Sequence, residues 1–236
     1  MPTSRPRRWT RRLWQLLALA LVALVLLQLW FAAWLFWYRS HPPLETAFMA
    51  RELSRLRDDN PQARLRYDWV PYEQISNHLK RAVLAAEDTR FTQHGGIDWD
   101  GVKHAIERNR EAGDTVAGGS TISQQLAKNL FLSSRRSYVR KGQELVITLM
   151  LEQVLDKRRI LELYLNVAEW GDGVFGAEAA ARHYFGKPAA QLQPWEAADL
   201  AARLPRPRYY DRNGRTDWLR QYSGIIQARM YQVPIP

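Results

Sequence analysis

The alternation of apolar and polar positions divides the chain into two unlike parts. From Leu13 to Tyr38 no residue is charged, a run long enough to span a bilayer with some tilt. Beyond it the apolar positions recur at helical spacing. Ile75, Leu79 and Val83 stand four apart on a segment that runs into Glu87, and Ile122, Leu126 and Leu130 mark one face of "STISQQLAKNLFL". In that second segment Thr121 and Gln124 are spaced as a capping box. Further helices are predicted from about Tyr138 to Leu155, over "KRRILELYLNVAEW", and over "WEAADLAARL", which has Pro194 in its first turn and Pro205 as its stop. A last helix is expected from Asp217 to Gln232. No run has a convincing strand pattern and no repeat period emerges, so the predicted class is mainly α, one helical domain preceded by an N-terminal transmembrane helix. Glycine-bearing loops at 112–120 and 170–176 interrupt the helices, and sites are commonly built on such loops.

The apolar run is expected to be a retained anchor and not a signal peptide. A signal peptide has an apolar core of about 7 to 15 residues and a small-residue cleavage site, whereas this run ends in "WFAAWLFWYRS". Its Trp30, Trp34, Trp37 and Tyr38 have the character of an interfacial aromatic belt. Arg5, Arg7, Arg8, Arg11 and Arg12 precede it with no acid among them, which places the N-terminus in the cytoplasm and everything after Arg39 on the outer face. The expected division is a basic arm (1–12), a transmembrane helix (13–38), a proline-bearing linker (39–45) and a folded domain (46–236). Of the formal net charge of +10, the arm and Arg39 carry six, which leaves +4 for residues 40–236. That residue of charge, spread over a domain, argues against a nucleic-acid partner and leaves room for an anionic membrane surface or substrate. The absence of cysteine fits an extracytoplasmic domain but fits much else.

Three segments carry candidate chemistry. "EDTRFTQHGG" (87–96) sets Glu87 beside Asp88, but successive helical residues do not face each other, so one is expected to enter a cleft while the other caps or pairs nearby. Alone, such a pair at a helix end reads as a solvated terminus, and His94, with no second histidine at metal-ligand spacing, as structural. "GGSTISQQLAKN" feeds a capped helix start whose free N–H groups and dipole favour an anion, and it leaves Gln124, Gln125, Lys128 and Asn129 off the apolar face. It lacks the glycine spacing and the ending of a phosphate-binding Walker loop. In "RKGQELVITLMLE", Arg140 and Lys141 lie four and three residues before Glu144. At a surface these are weak ion pairs; facing a cleft, they could hold a diphosphate beside an acid. "KRRILELYLN" reads as architecture, with Glu162 and Asn166 as internal hydrogen-bond partners.

Together and in this order, these segments resemble the peptidoglycan glycosyltransferases of family 51, with "YLNVAEWGDGVFGAEAAARHYFGK" extending the match over about residues 70–205. Thr148 stands where such motifs tend to have a small apolar residue. The resemblance implies a lysozyme-like helical fold that joins lipid II units into glycan strands. It assigns Glu87 as the general base on the acceptor 4-hydroxyl and Glu144 as the second important carboxylate, with inversion at the donor anomeric carbon and release of undecaprenyl diphosphate. By the same resemblance Lys128, Arg140 and Lys141 face the diphosphate. Ser120, Thr121, Gln124, Gln125 and Asn129 line the sugar and phosphate positions, Asp88 supports Glu87, and Phe91 and His94 shape the wall nearby. Residues 99–116 would form a membrane-proximal lobe edged by Trp99, Val102 and Ile106.

No cofactor is required by the sequence and no metal ligands are assigned; a divalent Mg or Mn ion is a candidate only. The expected partners are lipid II, the growing glycan strand and the bacterial inner (plasma) membrane, with cell-division or elongation proteins as candidates. No serine is followed three residues later by lysine, so a penicillin-binding transpeptidase motif is absent and the expected activity is polymerisation alone. Two rivals stand beside this reading: a glycan-cleaving lysozyme-like enzyme, against which the cationic cluster argues, and a non-catalytic cell-wall scaffold, which could lose the polar set that is complete here.

Overall fold

The computed structural model describes residues 6–112, 119–132 and 137–236. Among them the chain is mainly α, as expected. Helix α1 (Pro6–Tyr38) holds the one stretch, Trp9–Tyr38, long and apolar enough to cross a membrane. Its side chains from Leu13 to Leu29 are largely exposed, but Phe31, Leu35 and Tyr38 are buried in the domain. There α1 packs on α6 (Tyr138–Val154), and the Phe31 ring meets Phe131 edge-on at 5.3 Å between centroids. Arg159 donates to the carbonyls of Tyr38 and His41, 2.8 Å each, and so satisfies acceptors that a helix end leaves open.

Helix α2 (Ala47–Asp59) starts at Thr46, whose hydroxyl accepts from Met49 N–H at 3.1 Å. Helix α3 (Asn77–Glu87) is capped by Ser76, α4 spans Trp99–Ala112, and α5 (Ile122–Phe131) has the expected capping box between Thr121 and Gln124. Helix α7 (Lys157–Val167) is capped by Asp156. Its Asn166 clamps Val70, accepting from its N–H and donating to its carbonyl at 3.0 Å each, and its Glu162 accepts from Tyr72 N–H at 2.8 Å, the internal role expected of both. Helices α8 (Ala177–Phe185), α9 (Pro194–Arg203), α10 (Pro207–Asn213) and α11 (Asp217–Arg229) complete the domain. Alanine-rich α9 is buried from Glu196 to Arg203, which lets α3 and α11 approach it closely.

The expectation of no strand is corrected by one small sheet. β1 (Arg66–Tyr67) runs parallel to β3 (Val174–Phe175), and β2 (Glu169–Gly171) pairs antiparallel with β3 through a bulge, in the order β1-β3-β2. Strands of two or three residues are too short to show a period of two. Gly173 makes the turn between β2 and β3 at φ +72°. Buried Glu52 on α2 accepts from Arg55 at 2.7 Å and pairs with Arg208 of α10 at 2.6 Å; Arg208 also pairs with Glu169 of β2 at 2.9 Å. This lattice fastens α2 to the sheet and to α10.

One polar contact fixes how the anchor meets the domain. Gln28, in the apolar run, and Gln143, next to Glu144 on α6, exchange amide hydrogen bonds of 3.1 and 3.0 Å. Removing one amide leaves the other unpaired, whereas removing both leaves neither. Gln28→Leu and Gln143→Leu are each expected to lower stability by about 1 kcal/mol and the double variant by less than their sum. Thermal unfolding of the four proteins in one detergent reads this, and strict additivity would show that the amides do not interact.

Candidate active site

Glu87 and Asp88 divide the work as helix geometry requires. Glu87 is the last residue of α3, and Asp88, the cap residue, turns back toward α5. One oxygen of Asp88 accepts from Ile122 N–H at 3.0 Å, an otherwise open donor of the first turn of α5, and the other takes His94 Nε2 at 2.9 Å. His94 Nδ1 accepts from Gly96 N–H at 3.1 Å. A backbone N–H can only donate, so His94 is the neutral tautomer with its proton on Nε2. Thr121 then donates its hydroxyl to Gly96 carbonyl at 2.6 Å. Gly96 has φ +93°, and a Cβ there would stand 2.8 Å from Thr148 Cγ2 and 3.0 Å from Glu152 Cγ. Thr148, the departure noted in the sequence, donates its hydroxyl to Glu144 carbonyl at 2.7 Å, so a polar residue sits in a buried apolar place without an unpaired group.

These bonds hold Glu87 against α5. Its Oε2 accepts from Gln125 Nε2 at 2.7 Å, and Gln125 Oε1 accepts from the hydroxyl of fully buried Tyr164 at 3.1 Å, which sets the amide's orientation. Burial pushes the Glu87 carboxyl above its ordinary range; Gln125 and the Lys128 charge pull it back, and Asp88 adds to the rise. Burial also lowers the Lys128 ammonium, opposed first by Glu144. Glu144 itself is buried and accepts from Arg140 at 2.7 Å and from Lys141 through its other oxygen.

Two clefts meet at Ser120. The larger, about 400 Å³, is walled by Gln124, Gln125, Lys128 and Asn129 of α5 and by Arg140, Lys141 and Glu144 of α6. The smaller, about 180 Å³, opens beside Glu87, Asp88 and Thr121. Every expected site residue but two therefore lines one of these spaces. Phe91 and His94 are the corrections: Phe91 is 1 % exposed, in the core with Lys157 Nζ 4.5 Å above its ring, and the His94 ring is spent on Asp88 and Gly96. Both support the wall from behind. Also corrected is the two-faced reading of α5, which is enclosed almost all round, with Ser123, Gln124 and Asn129 buried as well as Ile122. Of the expected lobe edge, Trp99 and Ile106 are exposed, whereas residues 113–118, most of the first glycine loop, lie outside the described residues.

Two buried polar atoms in the larger cleft have no hydrogen-bond partner, Asn129 Oδ1 and Arg140 Nε. Such atoms are rare in folded proteins. The donor set does not fit a resident divalent ion. Both oxygens of Glu144 are taken by cations, Lys128 adds a third positive charge, and among the described residues no three His, Cys, Asp or Glu cluster together. Sequence reading missed Phe48 and Arg51 of α2, which line the same cleft. Their placement depends on the long-range packing of α2 on α5, for which the local pattern carries no signal.

The raised pKa of Glu87 has a thermodynamic consequence. Folding takes up a proton in the window between the unfolded and the folded values, so the cost of the buried charge is absent below about pH 4 and full above the folded value. Glu87→Gln is expected to melt with the parent protein near pH 4 and about 2–4 °C above it at pH 7. Melting curves at the two pH values check this; an equal offset at both would remove the burial account.

The transglycosylase family model matches residues 52–231. A biosynthetic peptidoglycan transglycosylase of Bordetella pertussis is 53 % identical over 239 residues, covering 100 % of this chain and 99 % of that protein. The proteins of the same name from Azoarcus sp. (strain BH72) and Methylobacillus flagellatus are 56 % and 55 % identical over 96 % and 94 % of this chain, and over 99 % and 97 % of their own lengths. The chain belongs to the transglycosylase family and is a peptidoglycan glycosyltransferase.

Proposed function

We propose that this enzyme polymerises lipid II, with Glu87 as the base and the Lys128, Arg140 and Lys141 cluster as the site of the departing diphosphate. The observation that carries the reading is a carboxylate with a raised pKa in the smaller cleft, hydrogen-bonded to Gln125 of the adjoining cleft that is lined with cations. An alcohol is a weak nucleophile and needs a base whose pKa lies near the working pH. Glu87 takes the proton of the acceptor sugar's 4-hydroxyl as that oxygen attacks the donor's anomeric carbon from the side opposite the diphosphate. The configuration inverts, and undecaprenyl diphosphate leaves.

The leaving group is already acidic and needs charge stabilisation more than a proton. Arg140 and Lys141, held by Glu144, present fixed positive charge to it, and Lys128 adds a further one. Ser120, Gln124 and Asn129 supply hydrogen bonds to sugar and phosphate, and Asp88 and His94 act as positioning residues for Glu87. Neither oxygen of Glu144 is available to a resident divalent ion, and no step here uses one. The substrate's lipid stays in the bilayer, so the anchor would keep the cleft at that surface, with the domain on the outer face of the inner membrane. With no serine three residues before a lysine, the product is glycan without peptide cross-links. A hydrolase of similar scaffold would have no use for three cations at its leaving group.

Purified full-length protein in detergent is expected to convert lipid II to polymer and undecaprenyl diphosphate, with products resolved by length. Glu87→Gln should lose about 10²–10⁴-fold in rate while keeping its circular dichroism spectrum. Lipid II left intact while preformed glycan is shortened would replace this reading with hydrolysis.

A further inference from the structure

We propose that Arg51, on the helix leading out of the membrane anchor, is a fourth phosphate-binding cation of the larger cleft, a role that rests on the lipid-diphosphate reading above. Arg51 and Phe48 lie one turn apart on α2, and both face the space lined by Lys128, Arg140 and Lys141. Their helix is fixed in place: Thr46 caps it, Met49 is 1 % exposed, and α2 packs against α5. The Arg51 guanidinium lies over the Phe48 ring at 4.6 Å, a stacking that holds its plane.

The charge distribution behind this wall singles out Arg51. Three guanidinium groups converge on the single buried carboxylate of Glu52. Two of them have a second acid: Arg55 reaches Asp172 and Arg208 reaches Glu169. Arg51 shares only Glu52 Oε1, through Nε at 3.2 Å and Nη2 at 2.9 Å. A guanidinium has five N–H donors, so three are left on a side chain that is one-third exposed at the cleft. Glu52 is too deep to accompany it there, its side chain being 3 % exposed. The cleft thus presents four cations against Glu144, an excess that suits a ligand with two or three negative charges, as a diphosphate has. A neutral glycan would gain nothing from the fourth. Because α2 follows the anchor after a short connection, the phosphate site includes a residue tied to the membrane-spanning helix, on the side from which a lipid-linked diphosphate arrives.

The test separates binding from scaffolding with full-length Arg51→Met, Arg51→Lys and Arg55→Met. In lipid II polymerisation, Arg51→Met is expected to raise KM about tenfold with kcat within about twofold, the worth of one charge-assisted hydrogen bond. Arg51→Lys should recover part of that loss, and Arg55→Met should lower the melting temperature without raising KM. Calorimetric titration with inorganic pyrophosphate gives a readout independent of turnover, with binding to the parent protein and about tenfold weaker binding to Arg51→Met. If the parent protein binds pyrophosphate and Arg51→Met does not, but lipid II is never polymerised, the cation site stands and the polymerase reading falls. If Arg51→Met loses thermal stability but keeps the parent KM and pyrophosphate affinity, Arg51 is a scaffold residue and the proposal is overturned.

Discussion

The carboxylate of Asp88 accepts from Ile122 N–H on one side and from His94 on the other, and the placement of the reactive groups follows from that junction. An acid at the N-terminal turn of a helix interacts well with both the open N–H groups and the dipole. Here the acid comes from the residue after a different helix, so satisfying the first turn of α5 also docks the end of α3 upon it. Glu87, one residue earlier, is thereby brought within 2.7 Å of Gln125, and Gln125 is oriented by Tyr164 from below. His94 and Gly96 close the loop, and the left-handed conformation of Gly96 lets the backbone lie against Thr148 and Glu152 where no Cβ fits. A carboxyl whose pKa is raised needs burial without a cation at contact distance, and for Glu87 a junction held by its neighbour provides both.

Glu87 at the end of α3 and Glu144 on α6 have opposite electrostatic settings. Glu87 has an amide as its only hydrogen-bonding side-chain partner among the described residues, and burial governs its titration. Glu144 has a cation on each oxygen. Burial favours proton uptake at the first; the second holds Arg140 and Lys141 in position. Lys128 is influenced by both carboxylates and marks where positive charge gives way to Glu87. A cleft with these positions mixed would pair Glu87 with the same cations.

Much of this was legible in the sequence because the relevant spacing is local. The capping box at Thr121, the Arg140 and Lys141 approach to Glu144, and the unequal roles of Glu87 and Asp88 all follow from helix periodicity. What escaped depends on packing between distant segments. Phe91 reads as a wall residue beside Glu87 but is drawn into the core under Lys157, and α5 reads as two-faced although α2, α6 and α7 enclose it. The contribution of Phe48 and Arg51 has no local signature, since only the docking of α2 on α5 turns them to the cleft. The small sheet escaped for a different reason: β1 pairs with β3 across about a hundred positions, and strands of two or three residues show no repeat.

The anchor is bound to this architecture by more than a tether. Phe31, Leu35 and Tyr38 continue α1 into the core, and the Gln28–Gln143 pair fixes its rotation against the helix that bears Glu144. An amide in an apolar run is costly unless paired, so the contact favours one register over the neighbouring ones. On the reading proposed above, rigid attachment matters because the substrate's reactive end must meet Glu87 while its lipid remains in the bilayer. A flexible tether would raise encounter frequency alone; a docked helix also restricts the angle of approach.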